Sequence, residues 1–183
     1  RSLPKKSKKE PTMSQLEQRQ KFGLIIKFLS MAHQIIKMYF GKDCGNASKM
    51  NVAVAYHLHN AITGAYNQYL IDYSKAVFTK GDLFGFNQIT GTMQAGQTCE
   101  LSYDGQSGQS NALDQDRLLV VVYNEDLNLI KSYEQVSSRV AGTGSVVLPP
   151  EWTTHQIHIW ASLVSENRRA VSTSQYLGGY VVV

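Results

Sequence analysis

Apolar residues recur at steps of three and four along the first forty positions of the chain. They are Leu16, Phe22, Ile25, Ile26, Leu29, Ala32, Ile35, Ile36 and Tyr39. This spacing predicts amphipathic helix over residues 12–39, with a break near Ser30. Thr12 and Gln15 have the spacing of a capping box at its start, and Gly41 ends the pattern.

A second helical pattern runs from about Ser48 to Thr63. Met50, Val54, Leu58, Ala61 and Ile62 share one face of this helix. Gly64 is the predicted stop at its carboxyl end, since glycine readily adopts the left-handed conformation found there. Residues 12–65 are therefore predicted to form a helical region whose apolar faces need a partner surface.

After Tyr66 the pattern changes to short alternating segments separated by turn-forming residues. Strands are predicted near residues 69–73, 76–78, 89–93, 98–103, 118–123, 129–135, 145–148, 156–165 and 170–177. Short strands at this spacing are typical of an antiparallel β-sandwich. We therefore predict an α+β fold in which the helical region precedes an immunoglobulin/fibronectin-like sandwich over residues 66–178, with Trp152 and Trp160 in its core.

The two ends of the chain differ from the rest. Residues 1–11 are predicted to be a basic extended tail, and residues 179–183 an apolar strand. This strand either joins the chain's own sheet or pairs with a sheet edge of another subunit. The candidate subunit contacts are Lys5, Lys6, Lys8, Lys9, Tyr180, Val181, Val182 and Val183.

Charge is distributed unevenly along the chain. Residues 1–50 carry eleven Lys/Arg against three Asp/Glu, a net charge of +8, whereas residues 51–183 have a net charge of −4. Such asymmetry is typical of contact with nucleic acid or an anionic surface, and equally of attraction between basic and acidic parts of neighbouring copies. Only 17% of residues are charged. This sparse charge favours an extracellular or cell-surface location over a cytoplasmic one, and no window has the ~20 apolar residues of a membrane span.

The five histidines do not have the spacing of a metal site. His57 and His59 are two apart on a predicted helix and point away from each other. His155 and His158 lie on opposite faces of a regular strand, and His33 is isolated. We therefore predict no metal site among them.

The remaining candidate chemistry is weak. Asp104, Asp114 and Asp116 lie in a polar loop that could bind calcium, but the loop lacks the ligand pattern of an EF-hand, and a solvated loop is favoured. Cys44 and Cys99 allow one disulfide in principle, although no spacing supports it. No phosphate-binding or nucleophile motif is present. We expect no catalytic residue, no cofactor and no enzymatic activity.

Three segments, residues 1–30, 51–83 and 146–178, resemble an uncharacterised family of Bacteroidota proteins, a domain of unknown function. The resemblance spans nearly the whole chain and implies helices followed by an immunoglobulin/fibronectin-like sandwich. It carries no catalytic residue with it. The tail beyond Gly178 looks like an addition to the usual end of the family.

These observations favour a non-catalytic structural subunit of a homo-oligomeric or filamentous assembly, at the cell surface, whose terminal segments contact neighbouring subunits. The alternative is a module that binds nucleic acid or an anionic surface through the basic N-terminal region. That alternative is less favoured because aromatic residues do not alternate with the lysines. A third possibility, recognition of carbohydrate or protein by the loop 104–116, rests on the polarity of that loop alone.

Overall fold

The computed structural model describes residues 10–41 and 47–183, and its helices follow the sequence pattern closely. Helix α1 spans Met13–Ser30, α2 His33–Tyr39 and α3 Lys49–Asn60. Thr12 and Gln15 form the predicted capping box, because each side chain accepts a hydrogen bond from the other's backbone N–H. The predicted break near Ser30 is confirmed by the turn between α1 and α2.

Helix α3 begins after the cap at Ser48 but ends three residues earlier than predicted. The chain leaves the helix at Ala61 because Ile62–Thr63 forms a short strand, β1, that pairs antiparallel with β2, Leu70–Ile71. A two-residue extension such as Ile62–Thr63 is compatible with either a helix or a strand, and here the pairing with β2 selects the strand.

Seven longer strands form two antiparallel sheets. The three-stranded sheet has the order β3–β4–β7, with β3 at Gln88–Gln94, β4 at Thr98–Asp104 and β7 at Thr143–Val147. The four-stranded sheet has the order β6–β5–β8–β9, with β6 at Leu129–Tyr133, β5 at Arg117–Asn124, β8 at Gln156–Val164 and β9 at Gln175–Val181. The fold is therefore α+β, with the strands mostly in the C-terminal part.

The four-stranded sheet is buried on both faces. Leu118, Val120 and Val122 of β5 pack in one core against the three-stranded sheet, whereas Leu119 and Val121 pack in a second core against the helices. Because β5 is buried on both faces, its sequence is a continuous apolar run and does not alternate between apolar and polar residues. The molecule thus has three layers, with the four-stranded sheet in the middle.

The helices pack on their own chain. The buried face of α1 includes Ile25, Phe28 and Leu29. The Phe28 ring meets the Tyr123 ring of β5 edge-on, with 5.4 Å between centroids, and the Phe78 ring at 5.5 Å. The middle sheet of the same molecule is therefore the partner surface for this buried face, whereas Phe22 and Ile26 of the predicted apolar stripe are exposed.

The predicted strand at residues 76–78 is wrong, because this segment is an irregular buried loop between the helices and the middle sheet. Side chains satisfy its backbone in place of a neighbouring strand. Trp160 Nε1 donates to the Ala76 carbonyl at 2.9 Å, and Ser174 Oγ accepts from the Phe78 N–H at 2.9 Å. Of the predicted strand at 69–73 only β2 forms. Trp152 and Trp160 are both buried, but only Trp152 lies in the core between the two sheets, whereas Trp160 packs in the core against the helices.

In the part of the chain that the structure describes, no helix combines the length and the apolar character needed to cross a membrane.

Candidate functional site

Of the two groups of predicted subunit contacts, the structure describes only the C-terminal one. Lys5, Lys6, Lys8 and Lys9 lie outside the described residues. Tyr180 and Val181 complete β9, where they pair with Ile157 and Gln156 of β8. In this chain the C-terminal segment is thus a strand of the middle sheet, and its predicted contact with another subunit stays a prediction.

Val182 fixes the end of this segment in the core between the sheets. Its side chain is only 1% exposed, its N–H donates to His155 O at 3.1 Å, and its carbonyl accepts from the Thr154 N–H at 2.9 Å. The Val183 carbonyl accepts from the Gln97 N–H at 2.9 Å. Removing residues 179–183 would therefore remove part of the core.

The outer edge of β9 is open at its carboxyl end. The backbone of Val182 is hydrogen-bonded to His155. Residues of an antiparallel strand alternate between bonding to the neighbouring strand and facing away from it. The N–H and C=O groups of Gly179 and Val181 therefore point away from β8. Neither residue has another backbone partner among the described residues. The side chains of Val181 and Val183 are 51% and 53% exposed. This edge is the accessible part of the predicted C-terminal contact.

A polar cluster surrounds His158 on the middle sheet. His158 Nδ1 lies 2.8 Å from the Tyr176 hydroxyl, and Nε2 lies 3.2 Å from Glu125 Oε2. The Tyr73 hydroxyl donates to Glu125 Oε1 at 3.4 Å, and the Tyr73 ring lies 4.0 Å from the imidazole. Glu125 is thus held by two donors, and both ring nitrogens of His158 have partners.

The tyrosines of this cluster remain protonated at neutral pH. Burial is the main cause that raises the pKa of Tyr73, Tyr123 and Tyr176, and the nearby Glu125 carboxylate raises each of them further. A phenol with a raised pKa donates a hydrogen bond and does not act as a base. The cluster therefore holds the segment before β3 against the middle sheet.

His57 has a comparable structural role on α3. Its Nδ1 lies 2.7 Å from the Ala53 carbonyl, and its Nε2 accepts from the Val77 N–H at 3.2 Å. Burial lowers the pKa of this imidazole. His59 is exposed on the other side of the helix, as the spacing predicted.

Arg139 and Asp116 form a buried ion pair that the sequence analysis did not identify. Arg139 Nε and Nη2 each lie 3.0 Å from Asp116 Oδ2, and both side chains are almost completely buried. The guanidinium also donates to the carbonyls of Phe84, Gly85 and Gly105. One side chain thus joins three loops at one end of the β module.

This ion pair changes the interpretation of the polar loop. Asp116 is paired with Arg139, and Asp104 accepts a hydrogen bond from the Gln106 N–H at 3.2 Å within the loop itself. Asp114 is exposed. In residues 10–41 and 47–183 no group of three or more His, Cys, Asp or Glu side chains is placed to hold a metal ion.

Cys99 is a free, buried thiol on β4. Burial, with a smaller contribution from Glu100, raises the pKa of this thiol to about 11. The thiolate, which is the reactive form, is therefore scarce at neutral pH. Cys44 lies outside the described residues.

Residues 1–178 match a family of unknown function, DUF6266. The chain belongs to this family. No curated protein sequence matches it.

The DUF6266 match covers all three helices and every strand except the last part of β9. Tyr180–Val183, the C-terminal half of the predicted contact set, falls outside the matched range. The order of helices followed by antiparallel strands was predictable from the sequence. The Arg139–Asp116 ion pair was not, because 23 positions separate its members.

Proposed function

We propose that this DUF6266 chain is a non-catalytic structural subunit of a homo-oligomeric or filamentous assembly at the cell surface. The observation that carries the proposal is the open outer edge of β9. There Gly179 and Val181 direct unpaired backbone groups outward, and the side chains of Val181 and Val183 are half-exposed. An open, uncharged strand edge is a template for pairing with another chain.

The interior chemistry supports a structural role. The side chains most suited to catalysis, His57 and His158, have both ring nitrogens engaged inside the fold. The fully buried Arg139–Asp116 ion pair holds loops together. Each group is therefore used to stabilise the molecule.

The internal docking of the helices narrows the proposal. The buried apolar residues of the helices pack on the middle sheet and need no neighbouring subunit, whereas Phe22 and Ile26 of α1 are 51% and 38% exposed. The contacts proposed here are the strand edges and the basic N-terminal segment with Lys5, Lys6, Lys8 and Lys9.

A point substitution at the exposed edge tests the proposal better than truncation, because Val182 belongs to the core. Val181→Asp places a charge on the edge of β9 and is expected to weaken assembly by about tenfold or more. Leu113→Asp is the matched control, since Leu113 is 60% exposed in a distant loop. Light scattering measures the molar mass of the assembled species. Equal assembly by the Val181→Asp variant and the wild type would rule out this contact.

We also propose that the two-sheet module is immunoglobulin/fibronectin-like. Seven antiparallel strands in a three-plus-four arrangement, with connections that cross between the sheets, support this classification. An experimental structure in which the strand order differs from β3–β4–β7 and β6–β5–β8–β9 would exclude it.

A second candidate function is supported by the net charge of +8 on residues 1–50. This is binding to nucleic acid or an anionic surface through the basic N-terminal region. Binding of this kind weakens steeply with salt, and it should disappear when Lys5, Lys6, Lys8 and Lys9 are changed to Gln. Undetectable or salt-insensitive binding in a gel-shift titration would exclude it.

A further inference from the structure

The three-stranded sheet has an open edge at β7. Within its ladder with β4, the Tyr103 N–H donates to Gly142 O and the Leu148 N–H donates to Gln97 O, both at 2.8 Å. Hydrogen-bonded pairs alternate along an antiparallel ladder. The even-numbered residues of β7 therefore bond to β4, and the odd-numbered residues direct their N–H and C=O groups away from it.

Ser145 and Val147 are the outward-directed residues at the centre and end of this edge. Their backbone groups have no partner among the described residues. Both side chains are exposed, Val147 to 66%. A further strand could thus add to β7 without disturbing the existing ladder.

The edges of β3 and β6 are less suited to such pairing, and the edge of β9 is open only at its carboxyl end. On β3, the Tyr180 hydroxyl donates to the Gly91 carbonyl at 3.1 Å. On β6, the exposed Lys131 adds a charge, which discourages strand addition. The ladder of β9 has a register shift opposite Ile159 and Trp160. β7, with the sequence Thr-Gly-Ser-Val-Val, has no charge and no shift in its register with β4.

We propose that β7 pairs antiparallel with β7 of a second copy of this chain, across a two-fold axis at Ser145. Ser145 then faces its own copy, and Thr143 faces Val147 of the second copy. In a regular antiparallel pair of identical strands, the two-fold axis places one residue opposite its own copy. Serine is suited to that position because like charges directly opposite each other destabilise a strand pair.

The neighbouring charges are compatible with this contact. Glu100 of β4 lies beside Ser145 in the register and is the nearest acidic residue in that row of the sheet. Its copy would be three strand spacings away, about 14 Å. This exceeds the Debye length of about 8–10 Å at physiological salt. The two carboxylates therefore repel each other weakly, and the two sheets merge into one of six strands.

The contact is expected to be weak. A two-fold pairing offers about six backbone hydrogen bonds. Two of these use the Thr143 carbonyls, each of which already accepts from a Tyr103 hydroxyl at 3.4 Å. A five-residue strand pair also buries less than the roughly 1,200 Å² of a standard stable interface. The inference depends on the proposed function only in that copies of this chain associate. It adds an interface separate from the terminal segments.

The test is sedimentation equilibrium of the full chain from about 10 µM to 1 mM. Ser145→Lys and Ser145→Glu each place a like charge across the axis and are expected to raise the dissociation constant about tenfold or more. An equal mixture of the two variants restores association, since Lys then faces Glu. Thr92→Lys is the matched control, because Thr92 flanks Glu100 on its other side at the β3 edge.

The outcomes separate this contact from the proposed function. If the wild type associates and the Ser145 variants associate equally well, the β7 contact is wrong and the proposed function stands. If both variants are monomeric and their mixture is as well, the two-fold register at Ser145 is wrong. A monomeric wild type over the whole range overturns both. Circular dichroism confirms that every variant is folded.

Discussion

His57 shows how one buried side chain links two segments of the chain. Its ring connects α3 to the irregular loop at Val77 and is fully buried. Because burial lowers its pKa in the folded state, the unfolded chain binds the proton first as the pH falls. The contribution of His57 to stability is therefore present above about pH 6.5 and is lost below it.

This linkage gives a measurable pH dependence. The free energy of unfolding should fall below pH 6.5 with a contribution from His57 of at most about 1.4 kcal/mol per pH unit. His57→Leu should lower stability at pH 7 and flatten the slope between pH 7 and 5. Urea unfolding at several pH values measures both. His59→Leu on the exposed face is the control, and an unchanged slope in the His57 variant would contradict the argument.

The Arg139–Asp116 pair should be essential for stability. Arg139→Met leaves the buried Asp116 carboxylate without its charged partner and three carbonyls without their donor, which should cost about 3–5 kcal/mol. Arg168→Met should cost less than about 1 kcal/mol, because Arg168 pairs with Glu134 at the surface. Chemical denaturation measures the free energy of unfolding of both variants. Similar losses of stability in the two would show that burial of the Arg139–Asp116 pair is unimportant.

At the scale of elements, helix α1 was predictable because its capping box and apolar spacing agree with its packing, and α2 was predictable from its apolar spacing, since no side chain caps its start. Residues 76–78 were not, because their backbone is satisfied by distant side chains such as Ser174 and Trp160. A short apolar run has the same appearance in a buried loop and in a strand. The open edge of β7 follows from strand order, which local periodicity does not determine.

The docking of α1 on the middle sheet depends on Phe28. Phe28→Ala removes the ring that meets Tyr123 and Phe78 and should cost about 3–5 kcal/mol. Phe22→Ala on the same helix should cost far less, because Phe22 is 51% exposed. Thermal or urea unfolding of the two variants tests this difference. Equal losses would mean that α1 is not docked as described.

At the scale of the whole molecule, three layers leave few surfaces for assembly. The helices cover one face of the middle sheet, and the three-stranded sheet covers the other. The remaining contacts proposed for copies of this chain are the edges of β7 and β9 and the basic N-terminal segment. Two different contacts on one subunit are sufficient to build an open filament.

The central claim is that copies of this chain associate. Size-exclusion chromatography with light scattering, on the full chain at increasing concentration, tests it most directly. The account predicts a mass that rises with concentration to multiples of 20.4 kDa, with filaments or oligomers visible by electron microscopy. A constant mass of 20.4 kDa at every concentration would contradict it.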